Sequence, residues 1–88
     1  MEQWHVYILE SLKDGLVYVG MSTNPQKRLE QHNAGKTFST RNRRPFELIY
    51  VEACETKEEA RKREVFLKSY SGSGEKRRII DRAKNFGS

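Results

Sequence analysis

An Asp-Gly pair between two apolar, β-branched segments is the feature that most constrains how this chain folds. Residues 4–12 and 16–21 have the composition of β-strands, and Asp14-Gly15 lies between them. Both central residues of a type I′ turn need φ > 0, and Asp-Gly meets this requirement at low steric cost. The sequence therefore predicts a β-hairpin with a two-residue turn, in which Lys13 pairs with Leu16.

Two tyrosines of this hairpin fall on the same face of the predicted sheet. With a two-residue turn, Ser11 pairs with Tyr18 and Tyr7 pairs with Ser22, and residues two apart on a strand share a face. Tyr7 and Tyr18 then project from one side, next to Gly20, which is expected to leave open space. Two phenols beside such a gap indicate a candidate site.

The rest of the chain predicts one more strand and three helices. Asn24 followed by Pro25 is a helix start, and Thr56 with Glu59 forms a capping box. Alternation in the third strand places Phe46, Leu48 and Tyr50 on one face. The remaining predicted elements are a helix at 25–33 ended by Gly35, a strand at 46–54, a helix at 57–70 and a last helix after the Ser71–Gly74 break. We therefore predict an α+β fold in which a small three-stranded antiparallel sheet is flanked by three helices, in the order ββαβαα, with residues 1–88 as one domain.

The composition favours an anionic partner. The chain has 88 residues, of which 33% are charged, and a net charge of +5. Such a charge favours nucleic acid, although a merely soluble basic domain has a similar composition. Cys54 is the one cysteine, which excludes a disulfide framework and a multi-cysteine zinc site. No signal peptide or membrane-spanning apolar run is present in the sequence, so we expect no membrane association and a cytoplasmic location.

Two helices carry candidate catalytic side chains. Arg28 and His32 are four residues apart and so lie on one side of their helix, where a guanidinium and an imidazole would suit a phosphate. The alternative is an exposed polar helix face. Glu64 follows Ala60 by four residues, at the edge of the stripe that packs inward. A carboxylate there needs a cation, which is either a metal ion or a basic neighbour.

The segment 36–44 carries four cations and no acidic residue. Cations that can bind phosphates, hydroxyl groups that can donate hydrogen bonds and one aromatic ring are typical of a loop that contacts nucleic acid. Solvated surface loops can have a similar composition. The predicted nucleic-acid contacts are Lys36, Thr40, Arg41, Arg43 and Arg44 in this loop, together with Lys68 on the second helix.

Four motifs in order resemble the GIY-YIG endonuclease superfamily. His5-Val6-Tyr7 and Tyr18-Val19-Gly20 stand where its two half-motifs lie, and residues 24–33 resemble its helix with an arginine and, four residues later, a histidine or tyrosine. Residues 63–68 resemble the segment with its single metal-binding glutamate. Two departures are His5-Val6 in place of glycine and isoleucine, and Met21 where a repair nuclease of the superfamily has a lysine.

The resemblance implies a metal-dependent endonuclease that hydrolyses DNA, with selectivity for DNA structure and a role in repair or recombination. It implies one Mg²⁺ or Mn²⁺ held by Glu64 and charge stabilisation by Arg28. Tyr18 is favoured as the base over Tyr7, and His32 would orient a tyrosine or the phosphate; the residues themselves do not separate the two tyrosines. RNA remains open as a substrate. The alternative function is a nucleic-acid-binding module with little activity of its own that works through a protein partner.

Overall fold

A three-stranded antiparallel sheet with β1 at its centre organises the molecule. The computed structural model describes residues 2–86, and the strand order is β2-β1-β3. The elements are β1 (Trp4–Ser11), β2 (Val17–Ser22), α1 (Pro25–Asn33), a 3₁₀ turn (Arg41–Arg43), β3 (Phe46–Cys54), α2 (Lys57–Lys68) and α3 (Ser73–Phe86). The predicted α+β class and the order ββαβαα are confirmed.

The hairpin register differs from the predicted one by two residues. Tyr7 pairs with Gly20 rather than Ser22, because the loop spans residues 12–15 and closes where the Ser11 amide donates to the Leu16 carbonyl at 2.9 Å. Gly15 has φ of 73°, and no non-glycine residue of the described chain has positive φ, so the predicted type I′ turn is wrong. The Ser11 hydroxyl instead accepts the amide hydrogens of Lys13 and Asp14. A shift of two residues keeps each side chain on its predicted face.

The two faces of the sheet carry different side chains. Val6 and Ile8 of β1 are fully buried in an aliphatic cluster that includes Ala60 and Leu67 of α2. The alternate residues of β1 point to the other face, where Tyr7, Leu9 and Phe46 form a second buried cluster. We call the side of the sheet with this second cluster the aromatic face and the opposite side the aliphatic face. Leu29 of α1 packs against the second cluster, so α1 covers the aromatic face.

A β-bulge in β3 changes which of its side chains share a face. Ile8 pairs with Tyr50 while the next residue, Leu9, pairs with Leu48, so Ile49 is the extra residue of the bulge. The predicted common face for Phe46, Leu48 and Tyr50 is therefore wrong. Tyr50 packs on the aliphatic side, because one inserted residue inverts the alternation beyond it.

The helix boundaries follow the local capping chemistry. The Asn24 side chain accepts the Lys27 amide hydrogen at 3.1 Å at the start of α1, and Gly35 takes φ of 79° beyond its end. Thr56 accepts the Glu59 amide hydrogen at 3.1 Å at the start of α2. α2 ends at Lys68, two residues before the predicted end, and α3 begins at Ser73, within the predicted break.

Candidate active site

Tyr7 lies at the centre of the aromatic face, directly over Gly20. Its side chain is 1% exposed, and a Cβ placed on Gly20 would lie 2.5 Å from both Cζ and Oη of Tyr7. The predicted open space beside Gly20 is thus occupied by the Tyr7 ring. A glycine is required at this position because any larger residue would displace the phenol.

Arg28 of α1 lies close enough to the Tyr7 hydroxyl to affect its pKa. Burial raises the pKa of the Tyr7 phenol, a hydrogen bond from Arg28 lowers it, and negative charge on Tyr18 or Glu64 adds smaller upward contributions. The net effect is a raised pKa, so Tyr7 is a neutral phenol at physiological pH. Gln31 accepts a hydrogen bond from Arg28 Nη1 at 2.8 Å, which holds the guanidinium in place.

Tyr18 connects the centre of this face to His32. The ring centroids of Tyr7 and Tyr18 are 6.5 Å apart, and those of Tyr18 and His32 are 4.8 Å apart with a tilt of 59°. The ring of Phe46 lies on His32 as well, at 5.8 Å. Tyr18 is only half-buried, whereas His32 is 0% exposed. Of these two side chains, a substrate can therefore reach Tyr18 directly.

His32 is held in place by Thr40 of the basic loop, which comprises residues 36–44. Its Nδ1 lies 2.8 Å from the hydroxyl oxygen of Thr40, which is 1% exposed. Burial lowers the pKa of His32, and the positive charge of Arg28 lowers it further. The imidazole is therefore neutral at physiological pH. Thr40 is thus turned inward to His32, which corrects its expected place on the nucleic-acid surface.

Glu64 of α2 contributes the acidic group of the site. Its side chain is 12% exposed, and its Oε2 lies 3.1 Å from Nζ of Lys68, one turn later on α2. Lys68 Nζ also lies 5.6 Å from the centroid of the Tyr18 ring, so this ion pair adjoins the phenols. Within residues 2–86, no three His, Cys, Asp or Glu side chains cluster as a metal site. Glu64 is thus a single carboxylate with a half-exposed cation beside it.

The basic loop divides into exposed and engaged cations. Lys36 and Arg41 are exposed, and the Arg41 guanidinium lies 4.7 Å from the ring centroid of Phe38. Arg43 instead forms an ion pair with Asp14 at 2.8 Å. Arg44 is exposed but donates to the Arg41 carbonyl at 2.7 Å. The surface cations available to a phosphate are therefore fewer than the sequence indicates.

The structure brings the five candidate catalytic side chains into one cluster. Of the expected nucleic-acid contacts, Thr40 is buried against His32, and the roles of the others stay predictions. Sequence reasoning missed two supporting residues. Gln31 holds Arg28, and its signal is a spacing of three residues on one helix. Asn33 accepts the Phe46 amide hydrogen at 2.7 Å and donates to the Phe46 carbonyl at 3.1 Å. This clamp joins α1 to β3, and no local sequence pattern indicates it.

Comparison with known proteins gives consistent matches along almost the whole chain. Residues 3–78 match the GIY-YIG catalytic domain. The UPF0213 protein of Desulfotalea psychrophila is 36% identical over 85 residues, which cover 94% of this chain and 76% of that protein. The UPF0213 protein of Staphylococcus haemolyticus is 39% identical over 83 residues, covering 93% of this chain and 100% of that protein.

A solved structure shows the same similarity in three dimensions. The solution NMR structure of the UPF0213 protein of Bacillus halodurans matches with a TM-score of 0.56 and 35% sequence identity, over 92% of this chain and 86% of that one. In the part of the chain that is described, no helix is long and apolar enough to cross a membrane.

Proposed function

Since this chain belongs to the GIY-YIG family, we propose that it is a divalent-metal-dependent endonuclease that hydrolyses phosphodiester bonds in DNA. The GIY-YIG catalytic domain is a nuclease domain, and its members generally use a divalent metal ion. The metal dependence, the DNA substrate and the roles of individual residues in this chain are parts of the proposal.

One observation carries the proposal: the two phenols are contiguous with an arginine, an imidazole and a carboxylate. Arg28 is close enough to Tyr7 to lower its pKa, and the ring of Tyr18 lies between those of Tyr7 and His32. Glu64 is close enough to Tyr7 to act on its pKa. Phosphodiester hydrolysis requires one group that donates hydrogen bonds to the anionic phosphate, one that accepts a proton and one that binds a cation.

Glu64 fits the role of metal ligand. Mg²⁺ keeps several water ligands and is commonly held by one or two carboxylates together with substrate phosphate, so a three-residue cluster is not required. Lys68 is 48% exposed at its side chain and can move away when a divalent ion competes for the carboxylate. When bound, the ion would stabilise negative charge on the leaving oxygen.

The two tyrosines take different roles in this proposal. Tyr7, buried and with a raised pKa, stays protonated, so its hydroxyl serves the site as a hydrogen-bond donor rather than as the base. Tyr18 is the more accessible phenol and adjoins a neutral imidazole, so it is the better candidate for the base. Arg28 would stabilise the charge that develops on the pentacovalent phosphorus.

The alternative function is a nucleic-acid-binding module that acts through a protein partner. The exposed pair of Phe38 and Arg41 favours binding, because an aromatic ring and a guanidinium contact bases and phosphates without any chemistry. The proposed endonuclease would use the same loop to hold its substrate. Selectivity for branched or nicked DNA, and a role in repair or recombination, extend the endonuclease proposal.

Cleavage assays with purified protein test these functions against each other. The protein is incubated with branched, nicked and linear duplex DNA, and with single-stranded RNA of matched sequence, in the presence of Mn²⁺ or Mg²⁺ and in parallel with a chelator. Metal-dependent cuts in DNA that the chelator prevents are the expected result. Binding to all substrates with no cut in any of them would support the binding module, and cleavage confined to RNA would replace DNA as the substrate.

A further inference from the structure

We propose that Thr40 is a positioning residue that fixes the tautomer of His32, so that Nδ1 carries the hydrogen and Nε2 keeps a lone pair that can accept a proton from Tyr18, whose ring lies beside the imidazole. The inference deepens the proposed function and rests on it, because it assigns the proton acceptor behind Tyr18. It depends on the contacts of one hydroxyl group and on the burial of one ring.

The contacts of the Thr40 hydroxyl define the direction of the hydrogen bonds. Its oxygen lies 2.8 Å from His32 Nδ1 and 3.4 Å from the carbonyl oxygen of Thr37. A carbonyl only accepts, so the contact with Thr37 requires the hydroxyl hydrogen. The hydroxyl oxygen then accepts from Nδ1–H of His32. In the opposite tautomer the hydroxyl would donate to Nδ1, and its hydrogen bond to the Thr37 carbonyl, which also accepts the amide hydrogens of Thr40 and Arg41, would be lost. Only the Nδ1–H tautomer keeps both contacts of the hydroxyl as hydrogen bonds.

The second ring nitrogen of His32 is then free to accept a proton. Nε2 is buried and has no hydrogen-bond partner among the described residues. It points away from Thr40, since the two nitrogens of an imidazole face diverging directions. A buried donor without a partner is rarer and more costly than an acceptor in the same position, which also favours a lone pair on Nε2.

The surroundings of His32 favour action through Tyr18 rather than directly on a substrate. His32 is 0% exposed, and its ring lies between those of Tyr18 and Phe46. Arg28 is the charged group that acts on it from α1, and it opposes protonation in the resting state. The negative charge that a bound phosphate brings to Arg28 would offset this effect.

The proton balance of the proposed step is complete within the site and the solvent. In the proposed step the Tyr18 hydroxyl first turns to Nε2 of His32, the buried acceptor that has no partner among the described residues. The Tyr18 oxygen then takes a proton from the attacking water as its own hydroxyl proton passes to Nε2. The water oxygen forms the new bond to phosphorus, and the bond from phosphorus to the leaving oxygen breaks. The leaving oxygen takes a proton from solvent, and His32 later returns its proton to solvent through Tyr18.

Nuclear magnetic resonance of the imidazole nitrogens tests the tautomer directly, without any cleavage assay. The chain has two histidines, so the signals of ¹⁵N-labelled protein are assigned with a His5→Gln variant. The expected spectrum shows His32 with a protonated Nδ1 and an unprotonated Nε2. A His32 protonated on Nε2 alone in the wild-type protein overturns the proposal. This measurement needs only the wild-type fold, so it decides even if variants of Thr40 are unstable.

Two substitutions of Thr40 then connect the tautomer to the chemistry. Thr40→Val keeps the shape and removes the hydroxyl, whereas Thr40→Ser keeps the hydroxyl. We expect Thr40→Val to mix the tautomers and lower kcat by about tenfold to a hundredfold with little change in KM, and Thr40→Ser to restore most of kcat. Equal kcat in folded Thr40→Val and wild type overturns the positioning role. A wild type that does not cut any substrate refutes the proposed function but leaves the tautomer result standing.

Discussion

The two faces of the sheet differ in chemistry although the same strands build them. On one face, Val6 and Ile8 meet Ala60 and Leu67 in a cluster without hydrogen-bonding side chains except the Cys54 thiol. On the other, Tyr7 adjoins Tyr18, and through it His32, all close enough for ring contacts. Neighbouring residues of β1 therefore have different roles. Odd-numbered Tyr7 belongs to the site, whereas even-numbered Val6 and Ile8 belong to the aliphatic core.

The difference shows on which face of the sheet this small domain buries polar side chains, which costs free energy of folding. Burying an imidazole and a phenol is unfavourable unless their polar atoms are bonded. Nδ1 of His32 is bonded to Thr40, the positive charge of Arg28 lies near the Tyr7 hydroxyl, and Nε2 of His32 is buried without a partner among the described residues. The aromatic face therefore compensates for only part of the lost hydration. The buried side chains of the aliphatic face gain their stability from burial, while the polar contacts on that side, such as the hydrogen bond from Tyr50 to Glu52, lie at its partly exposed edge. We therefore expect substitutions on the aromatic face to act mainly on activity, and those on the aliphatic face to act mainly on stability.

The largest expected effect concerns Glu64, which lies on the same helix as two residues of the aliphatic core. Glu64→Gln keeps the size of the side chain and removes its charge. We expect metal-dependent cleavage to fall by at least about a hundredfold, because the metal ion loses its carboxylate ligand, while DNA affinity changes by a few fold. Single-turnover cleavage and fluorescence anisotropy on the same preparation measure the two effects.

Glu58→Gln is the matched control, because Glu58 is an exposed carboxylate in the first turn of the same helix. It should cut at the wild-type rate. If Glu64→Gln cuts as fast as wild type in Mg²⁺, Glu64 does not hold the metal. If it unfolds instead, the ion pair with Lys68 is structural, and the separation between stability and activity fails on α2.

Leu67→Ala tests the aliphatic face with the opposite expectation. Leu67 is 0% exposed, and truncating such a residue costs about 2–5 kcal/mol of the free energy of unfolding. Urea denaturation should report this loss. The cleavage rate per folded molecule, measured at a temperature where the variant is folded, should equal that of wild type. A rate that falls along with stability would show that the two faces are coupled.

The two tyrosines test whether the aromatic face works as one unit. Tyr7→Phe and Tyr18→Phe each remove one hydroxyl and retain the ring. Each should slow single-turnover cleavage, and the double variant should be little slower than the slower single one, because groups that serve one reaction step are not additive. Melting temperatures should stay near the wild-type value. Full activity of the double variant would refute the catalytic role of both phenols.

Local sequence patterns predicted those features that depend on residues a few positions apart, namely the helix caps and the side chains that share one face of a strand or helix. The Asn24 cap, the Thr56 cap and the alternation of β1 all act within a few residues, and each is confirmed. Arg28 and His32 share a helix side for the same reason, and both reach the aromatic face.

The features that the sequence did not predict depend on contacts between distant residues. The bulge at Ile49 depends on how β3 pairs with β1. The shape of the hairpin loop depends on Ser11, whose hydroxyl donates to the Arg43 carbonyl 32 positions away. Thr40 was expected to face nucleic acid, yet it lies 2.8 Å from His32 because the loop folds back against α1. Such pairings cannot be read from composition.

The basic loop offers a smaller effect, on affinity alone. Each phosphate contact contributes about −0.9 to the slope of log K against log salt on duplex DNA. We expect Arg41→Gln to flatten the slope by about one unit and Arg43→Gln to change it less, because Asp14 already pairs with Arg43. Anisotropy titrations in salt measure the slopes, with Arg61→Gln on the exposed side of α2 as the control. Equal slopes for wild type and Arg41→Gln would remove this loop from the interface.

The smallest expected effect is a pH dependence of stability that comes from His32. Burial lowers its pKa below 6.5, with the charge of Arg28 adding to the effect, so the unfolded chain binds more protons than the folded one below that pH. The contribution of His32 is fully present above pH 6.5 and is lost as pH falls from there through the folded-state pKa. Urea midpoints between pH 7.5 and about 5.5 stay above the range where Asp14 and Glu75 titrate. His32→Gln should flatten the decline in this window, and comparing slopes removes the constant loss of packing. A wild-type stability that rises as pH falls would mean that the folded protein prefers a charged imidazole, and the neutral His32 on which the aromatic face depends would be wrong.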